Sequence, residues 1–471
     1  MNASAGAWAP ERRLLTAGVI GLITAAAFEG MAVPTVLPAT VGELGGLDLY
    51  GWAFSAFWLT TIIGITLGGS DADRHGPGRA LIVGVALFAA GLLVAGVATG
   101  MPVVIAGRAI LGFGSGAIGS VVYVVIARAY HPSVRPRMIA LVSSAWVVPG
   151  LIGPALAGLV TDTIGWRWVF LGIVPLLLLM GAAVHPQLRS LGPAPASDGP
   201  RRSDRRRALD ALQLAIGSTV LLSAFSVGSV PLALLLAAIG GFLGLRGLAH
   251  LLPPGSLRLA AGRPSVMAAS FVVSFAFFGT ESFIPLTVVR VVDGSVTLGG
   301  LALSAAAVTW ATGSWLQARA AGGGHRRSVV VGGAALIVAG IAVTMGVLLP
   351  GASWIVAAVG WAIGGLGMGL AYSMLALLTL ETAPPGQEGV SSAALQLMFT
   401  LGTAFGAGIG GAIVGLADNG TLALPSAVGI VFGIMLGAAV LAGLVAMRVP
   451  RTGVERSEGR PVPAPVTLEH P

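Results

Sequence analysis

Glu29, Arg108 and Glu281 sit inside long apolar runs of a 471-residue chain. A charge in the middle of a membrane-spanning helix costs roughly 2.5–3.5 kcal/mol on insertion scales, which makes each of these residues a functional candidate. A carboxylate withdrawn from water binds its proton more tightly than in solution, so it can load and release one near neutral pH. That is what a proton carrier needs: an acidic site that is protonated or facing cargo, but not both. Glu29 is the best candidate for this role. Glu281 can take a second proton or a cationic substrate. Arg108 is the opposite charge that can loosen a carboxyl proton, or a fixed bridge between two helices. For all three the plainer reading is a structural polar contact in the helix packing.

The elements that must hold these charges are membrane helices. Charged residues make up 9% of the chain, against roughly a quarter in soluble domains, and the mean hydropathy is +0.92. Runs of about 20 apolar residues read as spans. Fourteen are present, near 14–37, 49–69, 79–99, 102–129, 137–161, 166–184, 208–228, 230–249, 264–289, 297–318, 328–349, 352–380, 389–416 and 424–447. The expected fold is therefore an all-α integral membrane protein. Its 71 glycines suit helices that approach closely in lipid.

Composition also excludes chemistry. With no cysteine, no disulfide, thiol nucleophile or cysteine metal site can form. With no lysine there is no Walker lysine, which argues against drive by ATP. No His or carboxylate pair has metal-ligand spacing, and no nucleophile has a base beside it. No enzyme activity, cofactor or metal is expected. The formal net charge is +8, all of it carried by arginine. Those arginines lie between the apolar runs, so topology explains them better than nucleic-acid binding, and no nucleic-acid partner is expected. They cluster after spans 2, 4, 6, 8 and 10 and in the tail, whereas the loops after spans 1, 3, 7, 11 and 13 have none. Glu381 and Glu388 after span 12 depart from the pattern. By the positive-inside rule both termini are cytoplasmic. Arg12 and Arg13 precede a first span rather than a cleaved signal. The lack of cysteine fits a bacterial plasma membrane, and the all-arginine, Ala- and Gly-rich usage fits a GC-rich genome.

The chain repeats itself. GRAILGFGSG from Gly107 to Gly116 and GWAIGGLGMG from Gly360 to Gly369 share one glycine spacing, with Arg108 replaced by Trp361. Glu29 with Pro34 corresponds to Glu281 with Pro285, and Arg79–Gly84 to Arg327–Gly332. The marks keep their order, which divides the chain into two pseudo-symmetric six-helix bundles at 1–185 and 260–450. Spans 7 and 8 form an inserted pair at 208–259. Residues 186–207 form a basic cytoplasmic connector suited to anionic headgroups, and 451–471 a polar, Pro-rich tail with a disordered composition. Repeats of this kind mark transporters, with the site at the repeat interface near the bilayer midplane. The shared glycines are expected to serve close packing at one helix face, a task that does not need Arg108.

These residues resemble the major facilitator superfamily, specifically its drug:proton antiporter branch with fourteen spans, over nearly the whole chain. The loop after span 2 carries Gly69, Asp73, Arg74 and Gly76 of the superfamily's G-x-x-x-D-R-x-G-R-R/K signature. Pro77 replaces an arginine of that signature, and Arg79 comes late. The resemblance implies a conformational switch: a charged loop that locks onto the opposite bundle and stabilises the outward-facing state. Arg108 and Gly112 resemble the family's R-x-x-x-G pattern, in which the arginine is linked to proton transfer. Gly150, Gly153, Pro154 and Gly158 resemble the exporters' helix motif, with the first glycine displaced by one and Ala157 in place of a glycine. That motif is tied to antiport. Gly165–Pro175 resembles a further signature of the branch, with Ile173 in place of asparagine.

Aromatic residues including Trp58, Trp146, Phe275, Phe278, Trp361 and Phe399 are candidates for an apolar cavity, with Phe271, Phe275 and Phe278 on one helix face. Such walls suit lipophilic or cationic organic molecules. The implied function is proton-coupled export of such molecules by a monomer embedded in lipid. The alternatives are export of one endogenous metabolite or lipid, proton-coupled uptake, or a membrane enzyme or non-transporting partner protein. Because the chain has no cysteine, its topology is directly testable. A single cysteine at Asn419 should react with an impermeant maleimide on intact cells, and one at Ser203 only after permeabilisation. The reverse pattern would invert the orientation.

Overall fold

The structure, a computed structural model, describes residues 7–131, 133–189, 191–192, 202–252, 256, 262–320, 325–384 and 387–450. Residues 190 and 193–201 of the connector and the whole tail at 451–471 lie outside them. Among the described residues the helices are α1 (Arg13–Leu44), α2 (Tyr50–His75), α3 (Pro77–Gly96), α4 (Met101–Ala129), α5 (Arg135–Ser144), α6 (Val147–Ile164), α7 (Arg167–Leu171), α8 (Ile173–Arg189), α9 (Arg202–Ser223), α10 (Val230–Leu251), α11 (Arg263–Glu281), α12 (Ile284–Arg290), α13 (Val296–Ala320), α14 (Arg326–Met345), α15 (Trp354–Glu381), α16 (Glu388–Asp418) and α17 (Leu424–Ala446). No strand occurs among these residues. Helices satisfy every backbone group within one segment, as a lipid environment demands. Fourteen candidate spans result. Three of the runs read above as continuous are broken in two: span 5 at Ala145–Trp146, span 6 at Gly172 and span 9 at Ser282–Phe283. The basic residues Arg202–Arg207 at the end of the connector are the first turns of α9.

Proline and glycine also mark several helix ends. Proline begins α3, α4, α10, α11 and α17, where its missing N–H has no partner to lose. Gly76, at φ +92°, makes the one-residue turn between α2 and α3.

The two bundles repeat the same contacts. In the first, α1 packs on α6 and α8, α2 on α4, and α3 on α4 and α8. In the second, α11 packs on α16 and α17, α13 on α15, and α14 on α15 and α17. The glycine ladders are the centre of this repeat, and they correct the expectation of a single packing face. Gly107 and Gly114 lie against α3, while Gly112 and Gly116 lie against α2. In the second copy Gly360 and Gly367 lie against α14, and Gly365 and Gly369 against α13. A Cβ at Gly112 would collide with the Phe57 carbonyl oxygen, and one at Gly365 with that of Ala306. Each ladder thus lets one helix press backbone to backbone against two neighbours at once.

Two seams join the bundles: α6 runs along α13, and α2 along α16. The inserted α9 and α10 pack on each other, and α9 leans on α2 beside the second seam. Leu222 of α9 reaches Gly408 of α16 there. α10 is largely exposed.

Gly116→Val and Gly369→Val should each lower the yield of folded protein and its melting temperature, since overpacking costs about 1–3 kcal/mol or more. Gly119→Ala has open space around it and should leave both unchanged. Fluorescence-detected gel filtration after heating measures all three.

Candidate functional site

Glu29 of α1 and Arg108 of α4 are 1% and 2% exposed and form an ion pair, Arg108 Nη1 donating to Glu29 Oε1. Arg108 Nε donates to the Ala53 carbonyl of α2 at 2.9 Å. Its guanidinium carbon lies 4.4 Å from the centre of the Phe57 ring, a favourable cation–π distance. One side chain therefore binds three helices of the first bundle. Glu29 Oε2 is buried with no hydrogen-bond partner among the described residues, so the carboxylate is neutralised on one side only.

The second bundle repeats the geometry without the charge. Trp361 of α15 occupies the place of Arg108, and its Nε1 donates to Glu281 Oε2 at 3.1 Å. Trp361 is fully buried and stacks on Phe277 at 4.4 Å between ring centres. It lies in the packing, where it serves as a donor, and does not line open space as its aromatic ring suggests in the sequence. Glu281 is the last residue of α11, at the break in span 9. It lines a small cavity of about 30 Å³ with Met31, Gly150, Pro154, Leu303 and Trp310, contributed by both bundles.

Aromatic rings connect the two acids. Phe57 meets Trp58 at 5.0 Å, Trp58 meets Phe399 at 6.2 Å, and Phe399 meets Phe278 at 5.0 Å. Phe278 touches both Phe277 and Trp310. The path thus runs from the ring under Arg108 to the ring stacked on Trp361, crossing from α2 to α16 and α11. Trp58, Trp310, Tyr372 and Phe399 are half-buried. Phe275 stacks instead with Phe271, which meets Phe405. The face read as Phe271, Phe275 and Phe278 therefore divides between two clusters. Trp146 is 42% exposed at the break before α6, apart from this aromatic path.

The exporter-like motif forms one seam. Gly150, Pro154 and Gly158 face α13: a Cβ at Gly150 would lie 3.5 Å from Ala307 Cβ, Pro154 backs onto Gly300, and Gly158 lies against Thr297. Gly153 turns toward Phe28 of α1. Asp162 then closes the end of the seam. Its carboxylate accepts from Thr297 N at 2.9 Å, Thr297 Oγ1 at 2.6 Å and Val296 N at 3.3 Å, capping α13 from the other bundle. The second seam is its counterpart, with Gly51 backbone against Gly411 and Asp48 against Gly415. Ser55 Oγ donates to the Ala404 carbonyl at 2.8 Å, and Tyr50 Oη to the Ser282 carbonyl at 3.1 Å. These contacts all lie toward the arginine-poor side.

The charged segment is the last turn of α2 rather than a loop, and its ion pairs here stay within its own bundle. Asp73 pairs with Arg128 of α4 at 2.7 Å, within its own bundle. Asp71 pairs with His75 at 2.8 Å and Arg79 at 3.7 Å. Arg74 is exposed. The close helix approach falls on Gly68, whose Cβ would lie 2.6 Å from Ala117 Cα, while Gly69 has room. Sequence reasoning passed over Asp162, Gly51 and Gly411. Asp162 stands near the end of a span, as many unremarkable residues do, and the two glycines belong to no repeated ladder.

The pattern described as Major Facilitator Superfamily matches residues 18–395. A probable multidrug-efflux transporter of Mycobacterium tuberculosis is 27% identical over 439 residues, 88% of this chain and 92% of that protein. A multidrug transporter of Bacillus subtilis is 26% identical over 431 residues, 88% of this chain and 77% of that protein. An auto-inhibited peptide transporter of the POT family has a TM-score of 0.66 at 18% identity, over 92% of this chain and 97% of that one. A D-xylose–proton symporter has 0.63 at 16%, over 94% and 98%. At these identities the solved structures establish the fold alone.

Removing one member of a buried ion pair costs about 3–5 kcal/mol, because a lone charge is left behind. Glu29→Ala should therefore lower the melting temperature more than Glu29→Ala combined with Arg108→Met. Equal melting of the two would mean that Arg108 finds other partners.

Proposed function

The chain belongs to the major facilitator superfamily, and we propose that it is a proton-coupled antiporter exporting lipophilic and cationic small molecules by alternating access. Its place is the bacterial plasma membrane, with both termini cytoplasmic. The observation that carries this reading is the inequality of two equivalent acids. Glu29 faces a permanent cation, and Glu281 faces a neutral indole N–H. A carboxylate already paired with arginine is a poor site for a cationic substrate. One supported only by a neutral donor, beside Trp310 in a cavity shared by both bundles, has no fixed cation to compete with a cationic cargo. Aromatic faces add cation–π attraction for such cargo. Relatives named multidrug-efflux transporters, aligned along 88% of the chain, support the same substrate class.

In this reading Glu29 and Arg108 form the proton switch. Protonating Glu29 removes the charge that Arg108 balances and weakens the hold of α4 on α1. Arg108 also grips the Ala53 carbonyl of α2, and α2 forms a seam with α16. Proton arrival is thereby linked to a helix that must move when the bundles rock. With the arginine-poor ends of both seams closed, Glu281 takes cargo from the cytoplasmic side. Opening those seams and closing the opposite side releases it outward, and entry of a proton at Glu29 resets the cycle. The Asp162 cap on α13 stabilises the outward-closed state. The charged loop with Asp73 and Arg74 stabilises the opposite one.

The test uses purified protein in liposomes with an imposed pH gradient and a panel of cationic and neutral fluorescent dyes. Wild type should move dyes in response to the gradient. Glu281→Gln should raise the apparent KM for monocationic dyes at least tenfold while sparing neutral ones. Glu29→Gln should abolish the dependence on the gradient. Dye movement that ignores the gradient in wild type would remove proton coupling. Transport of no dye at all would favour a single endogenous cargo. Asp162→Ala should increase labelling of a cysteine at Ala307 by an impermeant reagent from outside, with Asp162→Asn intermediate. Unchanged labelling would mean that this cap does not hold the seam shut.

A further inference from the structure

A cavity of about 350 Å³ opens at the arginine-rich face between the start of α3 and the end of α8. It is remote from both buried acids. His75, Arg79, His185 and Arg189 contribute its polar wall, and Ile82 and Val83 its apolar one. Ile82 and Val83 are 46% and 44% exposed. The residues follow helical spacing. On α3, Arg79 stands three and four residues before Ile82 and Val83, so all three share one face. On α8, His185 and Arg189 stand four residues apart. Each helix therefore presents an arginine at the membrane surface, with an apolar pair or a histidine one turn deeper.

Charge and hydrogen bonding fit an anion in the slot. Asp71 pairs with His75 and Arg79, but no carboxylate pairs with Arg189 or His185 among the described residues. His185 Nδ1 is buried without a hydrogen-bond partner. Gly76 caps the N-terminus of α3 with no side-chain acceptor, leaving first-turn N–H groups, with the positive end of the helix dipole, beside the cavity. Arg128 Nη1 donates to the carbonyl of Gly192, a residue of the cavity wall, at 3.4 Å. A soluble anion would use the arginines and the helix end. It would have no use for a wall of exposed Ile82 and Val83 that continues into the bilayer.

We propose that this slot binds the phosphate of an anionic phospholipid from the arginine-rich leaflet, with an acyl chain lying along Ile82 and Val83. The leaflet is cytoplasmic on the orientation argued above. The lipid would bridge α3 and α8 beside the charged loop and so bear on the segment between Gly69 and Arg79.

Native mass spectrometry of the full chain, released from micelles with equal phosphatidylglycerol and phosphatidylcholine, tests the site. Wild type should retain one phosphatidylglycerol about tenfold over phosphatidylcholine. Arg189→Gln should reduce that preference about fivefold, the equivalent of about 1 kcal/mol for one basic residue near an anionic leaflet. Adding His185→Ala should bring it close to parity. Arg189→Lys should keep most of it, which separates lost charge from misfolding. Arg246→Gln, an exposed arginine of α10, should change nothing. Equal retention of the two lipids, or an equal loss in Arg246→Gln, would reduce the effect to general surface charge and overturn the site. Displacement of the lipid by millimolar inorganic phosphate would reassign the slot to a soluble phosphate-bearing anion and overturn the lipid source.

Discussion

Helices in lipid gain little by burying apolar side chains against one another, because the surrounding tails are as apolar as leucine. What binds them is close approach, and here the approach is often backbone to backbone. Gly112 and Gly116 bring α4 against α2, Gly107 and Gly114 bring it against α3, and the second ladder repeats both contacts. The constraint extends across the molecule: Gly51 meets Gly411, and Gly300 meets Pro154. Wherever the chain must be tight, it has removed side chains.

Repetition supplies the scaffold, and one broken equivalence supplies direction. Both bundles place a donor from the fourth helix onto a carboxylate of the first, Arg108 onto Glu29 and Trp361 onto Glu281. An indole N–H keeps the geometry of the donor and discards its charge. The two acids thus meet different partners in two bundles that repeat the same helix contacts. Aromatic contacts from Phe57 to Phe277 join these acids through the helices of a seam.

The contacts between bundles are asymmetric along the membrane normal. Asp162 with Thr297, Tyr50 with Ser282, and Ser55 with Ala404 all lie toward the arginine-poor ends. The charged loop at the other side pairs within its own bundle. A carboxylate that caps a helix of the opposite bundle is a contact that can be made and broken as a unit, because it depends on one rigid-body position.

Composition and periodicity by themselves determined the class of this protein. An apolar run of span length has only one backbone solution in lipid, so fourteen helices were legible from hydropathy, and the arginine pattern gave an orientation to test. The repeated glycines, Glu29 against Glu281, and Arg108 against Trp361 made the two bundles and their one asymmetry legible too, because equivalent positions in a duplicated fold meet equivalent neighbours. Partners were another matter. That Arg108 reaches Glu29 and the Ala53 carbonyl, that Trp361 turns to Glu281, and that Phe275 and Phe278 join different clusters depends on how each helix is rotated about its axis. Hydropathy cannot report rotation in helices that are apolar all round. Asp162 and the Gly51–Gly411 crossing were invisible for the same reason. Their meaning lies in residues far away in the chain, and only the packing of one bundle on the other brings those residues within reach.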